Sequence, residues 1–200
     1  WSSDVCSSDL SYTLGTGDKE KANRYFSMLV YFTILAGILL TVLGIIFVRP
    51  IAELFGADES MMDTCVLYGR IVIAFNAAFM LQNIFQSFFV VAEKPRLGLI
   101  VTIAAGVTNM VLDALFVGVF KWGIVGAALA TGISQSIGGL LPLLYFALPN
   151  NSPLQLTRTG FELAPLLKAS SNGCSELMSN VASSLIGIMY NYQLMRLGGE

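Results

Sequence analysis

Histidine is missing from all 200 residues, and only 12% of them are charged. Its absence excludes the usual zinc ligand sets and every histidine-based catalytic triad. The three cysteines, Cys6, Cys65 and Cys174, stand far apart with no CxxC pair, so spacing offers neither a thiolate metal site nor a redox couple. Basic charge is scarce too: 11 Lys and Arg face 13 Asp and Glu for a net charge of -2, with no basic run interleaved with aromatics. Nucleic-acid binding is therefore not expected. A soluble domain ordinarily carries about 25% charge, roughly twice what is found.

Apolar residues take the place of the missing charge. They make up 55% of the chain, and mean hydropathy is +0.71. The charges gather into short clusters, separated by apolar stretches of about the 20 residues that a bilayer core requires. Five such segments emerge at 25–48, 64–91, 97–120, 123–147 and 169–195. The pattern predicts an all-α, polytopic membrane helix bundle. The first ten residues, WSSDVCSSDL, have neither a basic n-region nor an apolar h-region and match nothing that follows. They read as an artefact or tag, and the chain reads as truncated at both ends.

Lys19, Lys21, Arg24, Lys94, Arg96, Arg158 and Lys168 fall on one side of the five segments, and Arg49, Lys121 and Arg196 on the other. The bias of Lys and Arg toward the cytoplasm places the first group inside. Arg70 lies close enough to the outer end of its segment to snorkel to the headgroups. Little more than Lys121 and Trp122 joins the third and fourth segments, which forces an antiparallel hairpin. Residues 148–168 are more polar: Asn150, Asn151 and Pro153 mark a loop, and Thr159 with Glu162 forms a capping box for a short surface helix.

Three charges interrupt the segments: Arg70, Asp113 and Glu176. A charge at mid-bilayer costs about 2.5 to 3.5 kcal/mol on insertion scales, so such a residue normally faces a cavity or a partner. Asn109 shares a helical face with Asp113. Counted from the short turn, Asp113 lies about seven residues and Thr131 about nine residues deep, which at about 1.5 Å per residue brings them to nearly one level. Two readings stay open for this trio. One is a proton or sodium site, since a carboxylate out of bulk water can exchange a proton and Asn and Thr oxygens suit a hard cation. The other is a structural hydrogen bond between helices. Glu176, some 10 Å into its segment by helical rise, has Asn172 and Asn180 one turn away and is a candidate for attracting a cationic substrate. The fourth segment carries Gly126, Ala130, Ser134 and Gly138 at four-residue spacing, a small-residue face expected to pack on the third segment through Ala104, Ala105, Gly106 and Thr108.

The sequence LGTGDKEKA at 14–22, AEKPRLG at 92–98, NMVLD at 109–113 and GIVGAALATGISQ at 123–135 occur in the order and spacing of a known family. Over 12–199 the chain resembles the multidrug and toxic-compound extrusion (MATE) transporters. The resemblance implies a twelve-helix antiporter of two six-helix lobes, exporting small organic cations by alternating access and driven by H+ or Na+ with no other cofactor. Residues 11–147 would be part of the N-terminal lobe, 148–168 the interlobe cytoplasmic linker and 169–200 the first helix of the C-terminal lobe. Asn109, Asp113 and Thr131 fall on the family's ion-site positions, and Glu176, Gln135 and Asn180 are the candidate substrate-lining residues. The sequence departs from the family at Ala114, where proline commonly follows the aspartate. The implied partners are the organic cation, membrane lipid and the remainder of the same transporter chain, in a bacterial inner or plasma membrane. Two rival readings remain beside this one: a flippase for lipid-linked sugars or polysaccharide of related architecture, and a channel or scaffold. An enzyme is not expected, because intramembrane aspartyl proteolysis needs two membrane aspartates and a rhomboid-like protease needs a histidine.

Overall fold

A computed structural model describes residues 10–54, 59–148, 152–157, 178–190 and 193. Among the described residues every regular element is helical. Helix α1 spans Lys19–Leu54, longer at both ends than the apolar window 25–48. Its start is capped by Asp18, whose carboxylate accepts the Lys21 N–H at 3.1 Å. Its charged ends carry the i,i+4 pairs Glu20–Arg24 and Arg49–Glu53. Apolarity marks only the membrane part of a helix whose polar ends are equally good helix formers.

The second segment is not one helix. It comprises α2, Glu59–Ala74, and α3, Asn76–Val91, bent by 43° across Phe75. A tight turn through Glu93, in the left-handed region at φ 56°, leads to α4, Pro95–Asp113, with proline in its first turn. The third segment also departs from expectation. The α-helix stops at Asp113, and Ala114–Val119 continues as a π-helix, in which Phe116 lies so near α5 that a Cβ on Gly126 would sit 2.9 Å from its Cβ. Helix α5, Gly123–Ala147, keeps the expected bounds and runs through Pro142. Residues 178–190 are helical, inside the fifth predicted segment.

Among the described residues three helices are long and apolar enough to cross a membrane, and the bent α2–α3 pair makes a fourth span if counted as one. Large apolar side chains point away from the bundle, among them Ile46, Val90, Leu99, Ile103, Met110 and Leu144. The chain is a multi-pass membrane protein, and bilayer hydrocarbon is the solvent that suits this surface.

The core lies at the end bearing Lys19 and Lys94. Phe26 of α1 meets Phe88 of α3 at 4.9 Å and Phe146 of α5 at 5.0 Å between ring centroids, while Phe85 and Phe89 close on Phe146 at 5.8 and 5.3 Å. Residues 152–157 lie across this cluster as a strap. Leu154 is buried in it, and the strap's N–H groups are taken up in turn: Gln155 donates to Asn23 Oδ1 at 2.9 Å, Leu156 to the Phe146 carbonyl at 2.9 Å and Thr157 to Ser27 Oγ at 2.7 Å. The small face of α5 serves two neighbours rather than one. Gly126 opposes Phe116, but Gly138 opposes Gln82 of α3, whose Cδ would lie 2.7 Å from a Cβ there. On α4, Ala105 is buried, whereas Gly106 faces open space. Four-residue spacing identifies a close-packing face, and it leaves the identity of the neighbour to the tertiary fold.

Candidate functional site

Because the turn at Lys121 and Trp122 is so short, α4 and α5 run antiparallel in tight register. That register sets Asn109 opposite Thr131: the Asn109 Nδ2 donates to Thr131 Oγ1 at 3.5 Å, the long limit of a side-chain hydrogen bond. Both side chains are half-buried. Asp113 stands one turn along α4 from Asn109, half-buried at the α-to-π junction. Its Oδ1 is shielded from solvent and has no hydrogen-bond partner. No described basic residue pairs with it. An unmatched carboxylate oxygen in a membrane helix is available to ligate a hard cation.

The Thr131 hydroxyl accepts from Asn109 and keeps its own proton to donate, while Asn109 retains its carbonyl oxygen as a ligand. The Thr131 backbone carbonyl is already engaged by Ser134 Oγ at 2.8 Å. Side-chain oxygens of an Asn, an Asp and a Thr are a hard donor set, suited to Na+ or a proton and unsuited to soft metals. Among the described residues no group of three or more His, Cys, Asp or Glu forms a conventional metal cluster.

The candidate substrate-lining residues separate. Gln135 is half-buried one turn from Thr131 on α5. Asn180 is exposed on the 178–190 helix, and Glu176 lies outside the described residues. Sequence patterning underweighted Gln82 on α3. Its amide sits in the notch of Gly138, its Oε1 is buried without a partner, and with Thr102 and Pro142 it lines a cavity of about 10 Å³, room for about one water. The same antiparallel register places this level two turns from Asn109 and Thr131. In the sequence Gln82 stands among Asn76, Asn83 and Gln86 on the second segment, and glue residues and functional residues look alike in a membrane helix.

Residues 7–115 match the MatE family. The multidrug export protein MepA of Staphylococcus haemolyticus is 26% identical over 143 residues, covering 72% of this chain and 32% of that protein. The probable multidrug resistance protein YoeA of Bacillus subtilis is 29% identical over 149 residues, with 72% and 32% covered. Among solved structures, a MOP superfamily transporter from Pyrococcus furiosus superposes with a TM-score of 0.88 at 19% identity, over 100% of this chain and 44% of that one. The chain spans about a third of the length of the curated relatives it matches.

Proposed function

Since this chain belongs to the MatE family of transporters, we propose that it is part of a cation-coupled antiporter that exports small organic cations by alternating access. The observation that carries this reading is the meeting of Asn109 and Thr131 one helical turn from an unpartnered Asp113 oxygen. Loading of Asp113 by a proton or sodium ion favours one arrangement of the two lobes over the other, because the ion's differential affinity shifts their balance. Release of the ion on the opposite side resets the cycle. The relatives' names support export of drugs: MepA is a multidrug export protein. No covalent step and no further cofactor enter the reading.

Within the whole transporter, residues 11–147 belong to one lobe, 148–168 connect the lobes and 169–200 open the second, which the remainder of the chain completes. Gln135 and Asn180 are assigned to the substrate passage between them, and Glu176, outside the described residues, is assigned there from the sequence. The setting is a bacterial plasma membrane, as the Staphylococcus and Bacillus relatives suggest.

Two measurements test the reading. Full-length protein in vesicles loaded with a fluorescent organic cation is expected to release it severalfold faster under an imposed H+ or Na+ gradient than without one. Gradient-independent efflux would overturn the coupling. Orientation is tested separately, since the excess of Lys and Arg on one side puts the Lys19 end in the cytoplasm. With native cysteines removed, Lys121→Cys should react in intact cells with a membrane-impermeant thiol reagent, and Lys19→Cys only after lysis. The reverse pattern would invert the topology.

A further inference from the structure

The bend between α2 and α3 has no local cause. Sharp bends in helices nearly always trace to proline, to Gly/Ser pairs, to π-bulges or to an inserted side chain, yet residues 73–77 read Ile, Ala, Phe, Asn, Ala. Packing must therefore hold the 43° angle. Helix α1 holds both limbs. A Cβ on Gly37 would lie 2.9 Å from Ala77 Cα, just beyond the break, and one on Gly44 would lie 2.7 Å from Ile73 Cγ2, just before it. The residue at the break, Phe75, has bridge-region dihedrals of φ -94° and ψ 4° and directs its ring to α5. There it lies over Gly132, where any Cβ would overlap the ring. Gly132 is buried, and it is the residue next to Thr131.

We propose that Phe75 is a positioning residue for the candidate cation site: its ring, seated in the notch of Gly132, fixes α5 so that Thr131 meets Asn109 one helical turn from Asp113. The inference rests on the cation-site reading above. The Asn109–Thr131 contact is 3.5 Å long, so a shift of α5 by about 1 Å decides whether it exists at all. Alpha-1 anchors the limbs on either side of Phe75, and the ring passes that anchorage to α5. The bent span and the site thereby move together, which in a transporter ties cation occupancy to the shape of a membrane-spanning element.

The test uses the purified full-length transporter and reads cation-induced thermal stabilisation, titrating Na+ at fixed pH and, separately, protons. Gly132→Ala inserts a methyl where the ring lies and should shift the titration midpoint about fivefold or more toward weaker binding, the lower end of couplings between linked sites. Adding Phe75→Leu to Gly132→Ala removes the overlap and should return the midpoint toward wild type. Phe75→Leu alone, which keeps apolar bulk but loses the ring, should weaken binding in the same direction, and it stands as the test if Gly132→Ala does not fold. Melting temperatures that fall in cation-free buffer while every midpoint stays at the wild-type value would reduce Phe75 to ordinary packing and overturn the proposal. Asp113→Asn runs beside these variants. If it keeps the wild-type cation response, the cation-site reading fails and the positioning role falls with it. If it loses that response while Gly132→Ala and Phe75→Leu retain theirs, only the role of Phe75 is lost.

Discussion

Asp113→Asn in the full-length transporter should reduce gradient-driven efflux to the rate seen without a gradient, while protein level and membrane insertion stay at or above wild type. The two halves of that expectation have one physical origin. A charged carboxylate in a membrane helix costs about 2.5 to 3.5 kcal/mol on insertion scales, and the buried Oδ1 has no hydrogen-bond partner among the described residues to offset it. Removing the charge relieves the fold. Among the described residues of α4 and α5 it also removes the one carboxylate that can take up a proton or bind sodium strongly, so cation loading no longer distinguishes the two arrangements of the lobes. Asn109→Ala and Thr131→Ala each delete one neutral ligand and should weaken coupling less. The measurement is efflux of a fluorescent cation from loaded vesicles beside an immunoblot of protein level. Wild-type driven efflux from Asp113→Asn would show the carboxylate to be structural and leave the fold untouched.

A two-residue turn fixes the register of a hairpin, and counting along α4 and α5 from it set Asp113 at nearly the level of Thr131; in the structure it is Asn109, one turn deeper on α4, that meets Thr131. The bounds of α5 were legible for a similar reason: Gly123 opens it, at φ 56°, and a continuous apolar run carries it to Ala147. The bend at Phe75 was not legible, since nothing in residues 73–77 disfavours a helix and the cause lies in glycines 31 and 38 positions away on α1 and 57 positions away on α5. The π-helix after Asp113 was hidden likewise. Its pattern of apolar residues is that of any membrane helix, and Ala114, standing where the family commonly has proline, spoke against a bend at that point. Charge misled at the ends of α1, where Lys19 to Arg24 and Arg49 to Glu53 fall outside an apolar window and are helical all the same. Glu176, singled out by its charge, its depth and the Asn residues one turn away, lies outside the described residues, while Asn180 is exposed on its helix.

Phe26→Ala should cost about 3 kcal/mol of stability, the low end of the range for deleting a buried phenylalanine ring. The low end applies because part of that range is transfer from water, and unfolded membrane helices remain in lipid. What survives is the cavity. Phe26 is fully buried where α1, α3 and α5 converge, with Phe88 and Phe146 about 5 Å away between ring centroids, and rigid rings cannot collapse into the space it leaves. The loss should extend to the strap, because Asn23 and Ser27, which receive the Gln155 and Thr157 N–H groups, flank Phe26 on the same stretch of α1. Loosening that stretch exposes a backbone hydrogen-bond row to water at the basic end. Hydrogen exchange in residues 154–157 should therefore speed up in Phe26→Ala together with a fall in melting temperature in detergent. Phe32→Ala, on the outer face of the same helix at 38% exposure, is the control and should leave both nearly unchanged. A lowered melting temperature with unaltered exchange in the strap would show that the aromatic cluster and the strap are held independently.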